Sequence, residues 1–309
     1  METCLLDSFS HGTDCFLFRE ARAKVNYDSP NEIRRVIESL GISLKPRWGQ
    51  NFLINRGARN RFLELICPET SDTVWEIGPG LGCLTAELLP RVNSLLVFEI
   101  DWGMVRFLEQ IFANERLLIS QGDALKTWKA ALERHGLPDK VVGNLPYRSA
   151  SAIIGSFADA ALAPARMVFT VQRELARRIT ASPGGKNYSS FSVCCQYAYV
   201  IREVFQLKPG SFYPAPEVTS SAILLEPRRH CCPAKDRQLF SRLVRDLFRS
   251  RRKTIKNNIL GSSLLEEYGR EKLLTAVREE GINLSARSEE LQVEQFVSLA
   301  NRILKLQYI

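Results

Sequence analysis

Histidine is scarce in this 309-residue chain: there are three, and none lies near another. A His-centred triad or metal site therefore has little to build on. The eight cysteines (Cys4, Cys15, Cys67, Cys83, Cys194, Cys195, Cys231 and Cys232) show no Cys-x-x-Cys spacing, and two pairs are adjacent. That pattern suits neither zinc nor a disulfide framework, so no metal is expected and a reducing cytoplasm is. No apolar run approaches the ~20 residues of a membrane span. The N-terminus carries Glu2 and Asp7 and lacks a charged-then-apolar leader pattern. Repeats and low-complexity tracts are absent as well. A strong charge imbalance is also missing: 42 Lys+Arg against 34 Asp+Glu give +8, which supports a polyanion partner only weakly. The 45% hydrophobic content allows one large α/β domain and a small second one.

Against these absences, residues 141–147 (Val-Val-Gly-Asn-Leu-Pro-Tyr) are the most telling stretch. A short apolar run delivers Asn144-Leu145-Pro146-Tyr147 to a strand's C-terminal end. Asn144 offers a side-chain carbonyl as acceptor. Leu145 and Pro146 offer main-chain carbonyls, and Pro146 has a fixed φ and no N–H. Tyr147 offers a ring face on which a base can stack. Such a set can hold a flat, amine-bearing ring. Accepting both N–H hydrogens of an adenine amine turns its lone pair toward an electrophile. A polar loop after a buried strand is the blander reading.

Upstream, Val74-Trp75-Glu76-Ile77-Gly78-Pro79-Gly80-Leu81-Gly82 reads as a buried strand entering a glycine turn. Glycines such as Gly78 and Gly80 let backbone approach a ligand, here at the sheet edge where ligands bind in doubly wound folds. Pro79 within the turn, Glu76 before it and the Gly-x-Gly-x-Gly spacing favour S-adenosylmethionine over NAD. A second strand, Ser94–Ile100, carries Glu99 about 20 positions after the turn, which suits ribose hydroxyls. Asp101 reads as a helix N-cap. Asp123, in Gln121-Gly122-Asp123-Ala124, follows a third strand and can accept from the cofactor's adenine amine. Each acid alone is more often a cap or a surface charge; in register after successive strands they reinforce one another.

Strand and helix patterns alternate from Thr73 to Ile179, which implies a parallel sheet with helices on both faces. We expect helices over 81–89, 102–112, 125–135, 150–157 and 173–179. Val193–Ala198 and Ala222–Glu226 are expected to close the sheet as an antiparallel hairpin. Ser29-Pro30-Asn31-Glu32 reads as a helix start. Residues 1–30 read as an extension that can be flexible, 31–227 as the cofactor-binding domain and 228–309 as a helical domain. Between Arg228 and Lys256 stand eleven Lys/Arg (228, 229, 235, 237, 242, 245, 249, 251, 252, 253 and 256) against two acids. A phosphate-contacting surface is the better reading of that imbalance.

Taken in order, Arg47–Leu53 (Arg-Trp-Gly-Gln-Asn-Phe-Leu), Glu76–Gly80, Glu99-Ile100-Asp101, Gly122-Asp123-Ala124 and Asn144–Tyr147 resemble the KsgA-type rRNA adenine N6,N6-dimethyltransferases. The likeness continues through Val171–Arg178, Phe212–Ser220 (Phe-Tyr-Pro-Ala-Pro-Glu-Val-Thr-Ser) and the basic run Arg251–Asn257, so it spans Leu44 to the C-terminus. It implies a Rossmann-like class I methyltransferase sheet with a small C-terminal all-helical domain. It implies that Asn51 and Leu53 contact S-adenosylmethionine, that Gln50 orders their segment, and that Ile100 and Ala124 flank the cofactor. It also implies the substrate: two adjacent adenosines in a loop near the 3′ end of small-subunit 16S rRNA, within an assembling 30S particle. Arg249, Arg251, Arg252, Lys253 and Lys256 are then expected to hold RNA phosphates, with Arg148 beside the target base. Phe212 is the candidate for the second stacking face, opposite Tyr147. A monomer is expected.

The chain departs from the family pattern in places. Arg148-Ser149-Ala150 stands for Asn-Ile-Ser, Glu217 and Thr219 for Lys and Asp, and Tyr188-Ser189-Ser190 for a Tyr-Gly sequence. None removes a proposed cofactor or amine contact. Two rivals remain at this level. One is an Erm-type enzyme acting on large-subunit rRNA, against which the 212–220 loop and the 251–256 run speak. The other is a non-catalytic RNA-binding assembly factor, against which Glu99, Asp123 and Asn144 speak. DNA adenine methyltransferases typically carry Pro-Pro after the Asn or Asp, and here Leu145-Pro146 follows Asn144.

Overall fold

Period-two alternation sorts the strand residues onto two faces. Trp75, Ile77, Leu96, Phe98, Val141, Met167 and Phe169 pack in one buried cluster, while Val74, Leu95, Val97, Val142 and Val168 pack in another. A sheet with two apolar faces must be covered on both. The structure, a computed structural model, describes residues 25–41 and 50–306. The segments 1–24, 42–49 and 307–309 lie outside the described residues, and with them Arg47-Trp48-Gly49 and most of the expected N-terminal extension.

Seven strands form the main sheet: β2 (Thr73–Ile77), β3 (Ser94–Glu99), β4 (Leu117–Gln121), β5 (Lys140–Asn144), β6 (Arg166–Gln172), β7 (Tyr199–Leu207) and β9 (Ser220–Pro227). Their order is β4-β3-β2-β5-β6-β9-β7. β9 runs antiparallel to both of its neighbours; the other pairs are parallel. Strand order reverses between β2 and β5, and the crevice at the C-terminal ends of such strands is where ligands bind. β2 and β5 approach closely there, because a Cβ on Gly143 would stand 2.6 Å from the Ile77 carbonyl. A separate two-stranded ribbon pairs β1 (Phe52–Leu53) with β8 (Phe212–Tyr213).

On one face lie α2 (Arg56–Ile66), α3 (Thr85–Leu88) and α4 (Trp102–Ile111), and on the other α5 (Ala124–His135), α6 (Ala150–Asp159) and α7 (Arg173–Ile179). Asp101 caps α4 as expected, accepting from the N–H groups of Gly103 and Met104. α1 (Pro30–Ser39) starts where Ser29 caps it. The helix expected over 81–89 is shorter, because Gly82 takes φ +83° and the turn uses the residues before Thr85.

Val193–Ala198 is not a strand. It belongs to α8 (Ser190–Ala198), started by a capping box between Ser189 and Ser192. Its opposite faces are both buried: Val193 and Tyr197 join the C-terminal core while Cys195 joins the sheet core. Two-sided burial erases helical periodicity in the sequence, and the hairpin strand begins one residue later, at Tyr199. Beyond Pro227 the described residues hold α9 (Arg237–Leu247), α10 (Ile255–Ile259), α11 (Leu264–Tyr268), α12 (Arg270–Glu279) and α13 (Val293–Lys305) around a core that includes Leu243, Phe240 and Phe296.

Candidate active site

A cavity of about 340 Å³ opens at the C-terminal ends of β2, β3, β4 and β5. Gln50, Asn51, Leu53, Glu76, Gly78, Gly80, Glu99, Ile100, Asp123, Ala124, Asn144, Pro146 and Arg148 all line it. Sheet order spreads the polar groups along the cavity: Asp123 after β4, Glu99 on β3, Glu76 on β2 and Asn144 on β5. Three strand spacings cover roughly 14 Å. That is the length scale of an extended nucleoside carrying an amino-acid chain. Sequence reasoning missed Cys83, Phe98, Ser149 and Ile153, which also line it. They are apolar or small and carry no motif of their own.

The glycine turn is held from inside the site. Gly80 takes φ +57°, and a Cβ there would stand 2.7 Å from the Phe52 ring. Its N–H donates to Glu99 Oε2 at 3.0 Å, while the Asp101 N–H donates to Glu99 Oε1 at 2.8 Å. Those bonds fix the Glu99 carboxylate and leave further lone pairs for ribose hydroxyls. Glu99 is 5% exposed, and burial pushes its carboxyl up to about 7 against the pull of its backbone donors. Glu76 is 2% exposed, and burial pushes it up to about 8, opposed by the Thr85 hydroxyl that donates to it at 2.7 Å. Two buried acids that form no ion pair among the described residues suit a cationic, hydroxyl-bearing ligand. Asp123 caps α5 through Oδ1, which accepts from the Leu125 N–H at 3.0 Å, and the residue also lines the cavity. The cap and the ligand readings of this residue are therefore compatible.

At the β5 end, the Asn144 side-chain N–H donates to the Asn51 carbonyl. This orients the amide and leaves Oδ1 as an acceptor. The Pro146 carbonyl already accepts from the N–H groups of Ser149 and Ala150, at 3.0 and 2.9 Å. Of the two main-chain acceptors considered, Leu145 is therefore the one left for an amine. Tyr147 is partly buried, and its hydroxyl lies 2.6 Å from Ser220 Oγ. Burial raises its pKa, keeping the phenol neutral. Leu145, Tyr147 and Phe212 are not among the cavity-lining residues. Phe212 is 2% exposed, pairs with Leu53 and packs in the sheet core, where it supports the ribbon. Among the described residues no group of three His, Cys, Asp or Glu could hold a metal.

Comparison with known proteins decides the family. A model of ribosomal RNA adenine dimethylase matches residues 41–305. The chain belongs to the ribosomal RNA adenine dimethylase family. It is 38% identical over 281 residues to a Treponema denticola protein named ribosomal RNA small subunit methyltransferase A, covering 90% of this chain and 96% of that protein. A protein of the same name from Syntrophotalea carbinolica is 39% identical over 264 residues, covering 84% and 96%. In fold it resembles a dimethyladenosine transferase from Plasmodium falciparum (TM-score 0.71, 23% identity, 82% of this chain and 97% of that one). The 23S rRNA methyltransferase ErmE shares the fold at TM-score 0.58 and 23% identity, over 82% of this chain and 99% of that one. The fold is thus common to both rRNA classes.

As a ribosomal RNA adenine dimethylase, the chain is a methyltransferase dependent on S-adenosylmethionine. Arg251, Arg252 and Lys253 stand in a turn that precedes α10, which begins at Ile255 and is capped by Thr254. Arg251 is tied down: it pairs with Glu289 at 2.7 Å and donates to the Lys186 carbonyl at 2.8 Å. Arg249 is exposed and donates to the Gly261 carbonyl. Arg228 and Arg242 face Glu294 and Glu267. Arg148, Arg252, Lys253 and Lys256 are exposed, and none forms an ion pair within the described residues.

Proposed function

We propose that this dimethylase transfers methyl groups to the N6 amines of two adjacent adenosines in a loop near the 3′ end of small-subunit 16S rRNA, during assembly of the small subunit. The names of its relatives support the subunit, and the orientation of Asn144 by Asn51 supports the chemistry. That orientation is the observation that carries the reading, since an amine acceptor must present oxygen and not N–H. Action in the cytoplasm as a monomer belongs to the same proposal; among the described residues no helix is long and apolar enough to cross a membrane.

When bound, S-adenosylmethionine supplies the electrophilic methyl. Glu99 would accept from its ribose hydroxyls, Asp123 from its adenine amine, and Glu76 would face its ammonium end, with Ile100 and Ala124 beside the adenine. Asn144 Oδ1 and the Leu145 carbonyl accept the two N6 hydrogens of the target adenine, which aims the amine's lone pair at the methyl. Tyr147 stacks on the base, held by Ser220. Positioning and desolvation carry the rate. The amine would lose its proton only after the N–C bond has formed and the S–C bond has broken with release of S-adenosylhomocysteine, so no histidine or thiol base would be required. A target base must be splayed from its stack to enter. Arg148 at the cavity wall and Arg252, Lys253 and Lys256 on the helical layer hold RNA phosphates.

Methyl transfer from labelled S-adenosylmethionine to unmodified small subunits, with large-subunit rRNA in parallel, tests this. We expect N6,N6-dimethyladenosine in small-subunit rRNA. Label confined to large-subunit rRNA would establish the Erm-type reading instead. No transfer to either RNA, with cofactor still bound, would indicate an assembly factor.

A further inference from the structure

The segment N-terminal to the family-matched span packs behind the cavity wall. Tyr27 is 9% exposed, and its hydroxyl donates to the Leu81 carbonyl, inside the glycine turn, at 2.9 Å. Arg59 is buried, with its guanidinium donating to the carbonyls of Leu53 at 3.1 Å and Ile54 at 2.8 Å. Asp28 closes this cation's charge at 2.5 Å. Ile33 and Ile37 of α1 share a buried cluster with Phe52 and Leu81, and the Phe52 ring backs Gly80. One stretch of chain thus grips both backbone walls that face the cofactor.

We propose that residues 25–39 act as a clamp on the cofactor site, with Tyr27 and the Asp28–Arg59 pair as its positioning residues. The proposal rests on the S-adenosylmethionine reading of the cavity. The physical need is plain. Gly78, Gly80 and Gly82 all take positive φ, so this turn is unusually free when unrestrained. Glu99 holds it from within the site, and Tyr27 holds it from outside. β1 contributes only two residues, pairing with a ribbon strand equally short, and so has little stiffness of its own. Arg59 supplies that stiffness by bonding two successive carbonyls. Buried, it needs an anion to balance it, which places Asp28 in the same device. A preformed wall spares the cofactor the ordering cost of binding.

The test is steady-state kinetics of the full chain with Tyr27→Phe and Asp28→Asn, alongside calorimetry with S-adenosylhomocysteine. Loss of one buried hydrogen bond corresponds to about a three- to tenfold change. We expect the KM for S-adenosylmethionine to rise by that factor in each variant. Turnover at saturating cofactor and the KM for small subunits should stay within about twofold, and Asp28→Glu should recover part of the affinity. A merely structural contact would lower the melting temperature and leave that KM unmoved, which would overturn the clamp. So would a fall in turnover with KM unchanged. Failure of the wild-type protein to bind S-adenosylhomocysteine would overturn the cofactor reading itself, a result distinct from equal affinity in wild type and variants.

Discussion

At the cavity, a few charges are buried and held; on the helical layer, many are exposed and partly cancelled. Glu76 and Glu99 sit at adjacent strand ends with their oxygens fixed by Thr85, Gly80 and Asp101. The eleven cations between Arg228 and Lys256 look uniform in sequence, yet Arg228, Arg242 and Arg251 face Glu294, Glu267 and Glu289. Number of charges therefore says little about function, and local partner geometry says much. A buried carboxylate at a strand end has few roles open to it. An exposed arginine near a glutamate has an ordinary one, as a surface ion pair of small energy.

The widest gap between the two regions should appear in cofactor affinity. Glu99→Ala removes charge-assisted bonds to the ribose and frees Gly80. Calorimetry with S-adenosylhomocysteine should show a loss of about tenfold to a hundredfold. Replacing Arg252, Lys253 and Lys256 together by Ala should leave that affinity unchanged. Equal losses in the two variants would erase the distinction.

The buried acids also set a pH dependence that the surface cations cannot. An acid whose folded pKa is raised stabilises the fold below its ordinary value of 4.5, and that contribution is lost as pH rises through about 7 for Glu99 and about 8 for Glu76. Thermal unfolding of the ligand-free protein should therefore fall in midpoint across that window. Affinity for S-adenosylhomocysteine should move oppositely and rise, because the site uses the ionised carboxylates. A flat midpoint from about pH 5 to pH 8 would count against both burial and role.

Within the basic surface, salt dependence separates bound cations from spent ones. Each phosphate contact contributes about 0.7 to 0.9 to the slope of log affinity against log salt. Arg252→Ala, Lys253→Ala and Lys256→Ala should each reduce the slope for small-subunit binding by about that amount, whereas Arg251→Ala should leave it unchanged and lower stability instead. A slope change for Arg251→Ala equal to the others would mean that its pairing with Glu289 opens on RNA binding. The smallest effect is expected at Tyr147→Phe. Stacking survives and only the Ser220 bond is lost, so turnover should fall about fivefold or less.

Much of the cavity was readable because its residues are constrained by backbone. Short strands, a glycine turn and a fixed-φ proline leave local signatures, and Asp101 and Ser29 announced the helices they cap. What escaped depends on partners distant in sequence. Tyr147 meets Ser220 and Arg251 meets Glu289, 73 and 38 positions apart. Phe212 carried a motif-based role, but its burial follows from pairing with Leu53, far upstream. Val193–Ala198 misled because both helix faces are buried. Tyr27 and Asp28 lay within a stretch read as an extension that can be flexible, since a single Tyr-Asp pair has no pattern until Leu81 and Arg59 are beside it.

The central claim is that Asn144 presents an oxygen to the amine of a target adenine. Nucleoside analysis of small-subunit rRNA after methylation by wild type and by Asn144→Ala tests it directly. Removing one preorganised polar partner from such a site typically slows the chemical step about a hundredfold or more. We predict abundant N6,N6-dimethyladenosine with wild type and almost none with Asn144→Ala, although the variant still binds S-adenosylhomocysteine. Dimethylation by Asn144→Ala at near wild-type rate would contradict the account.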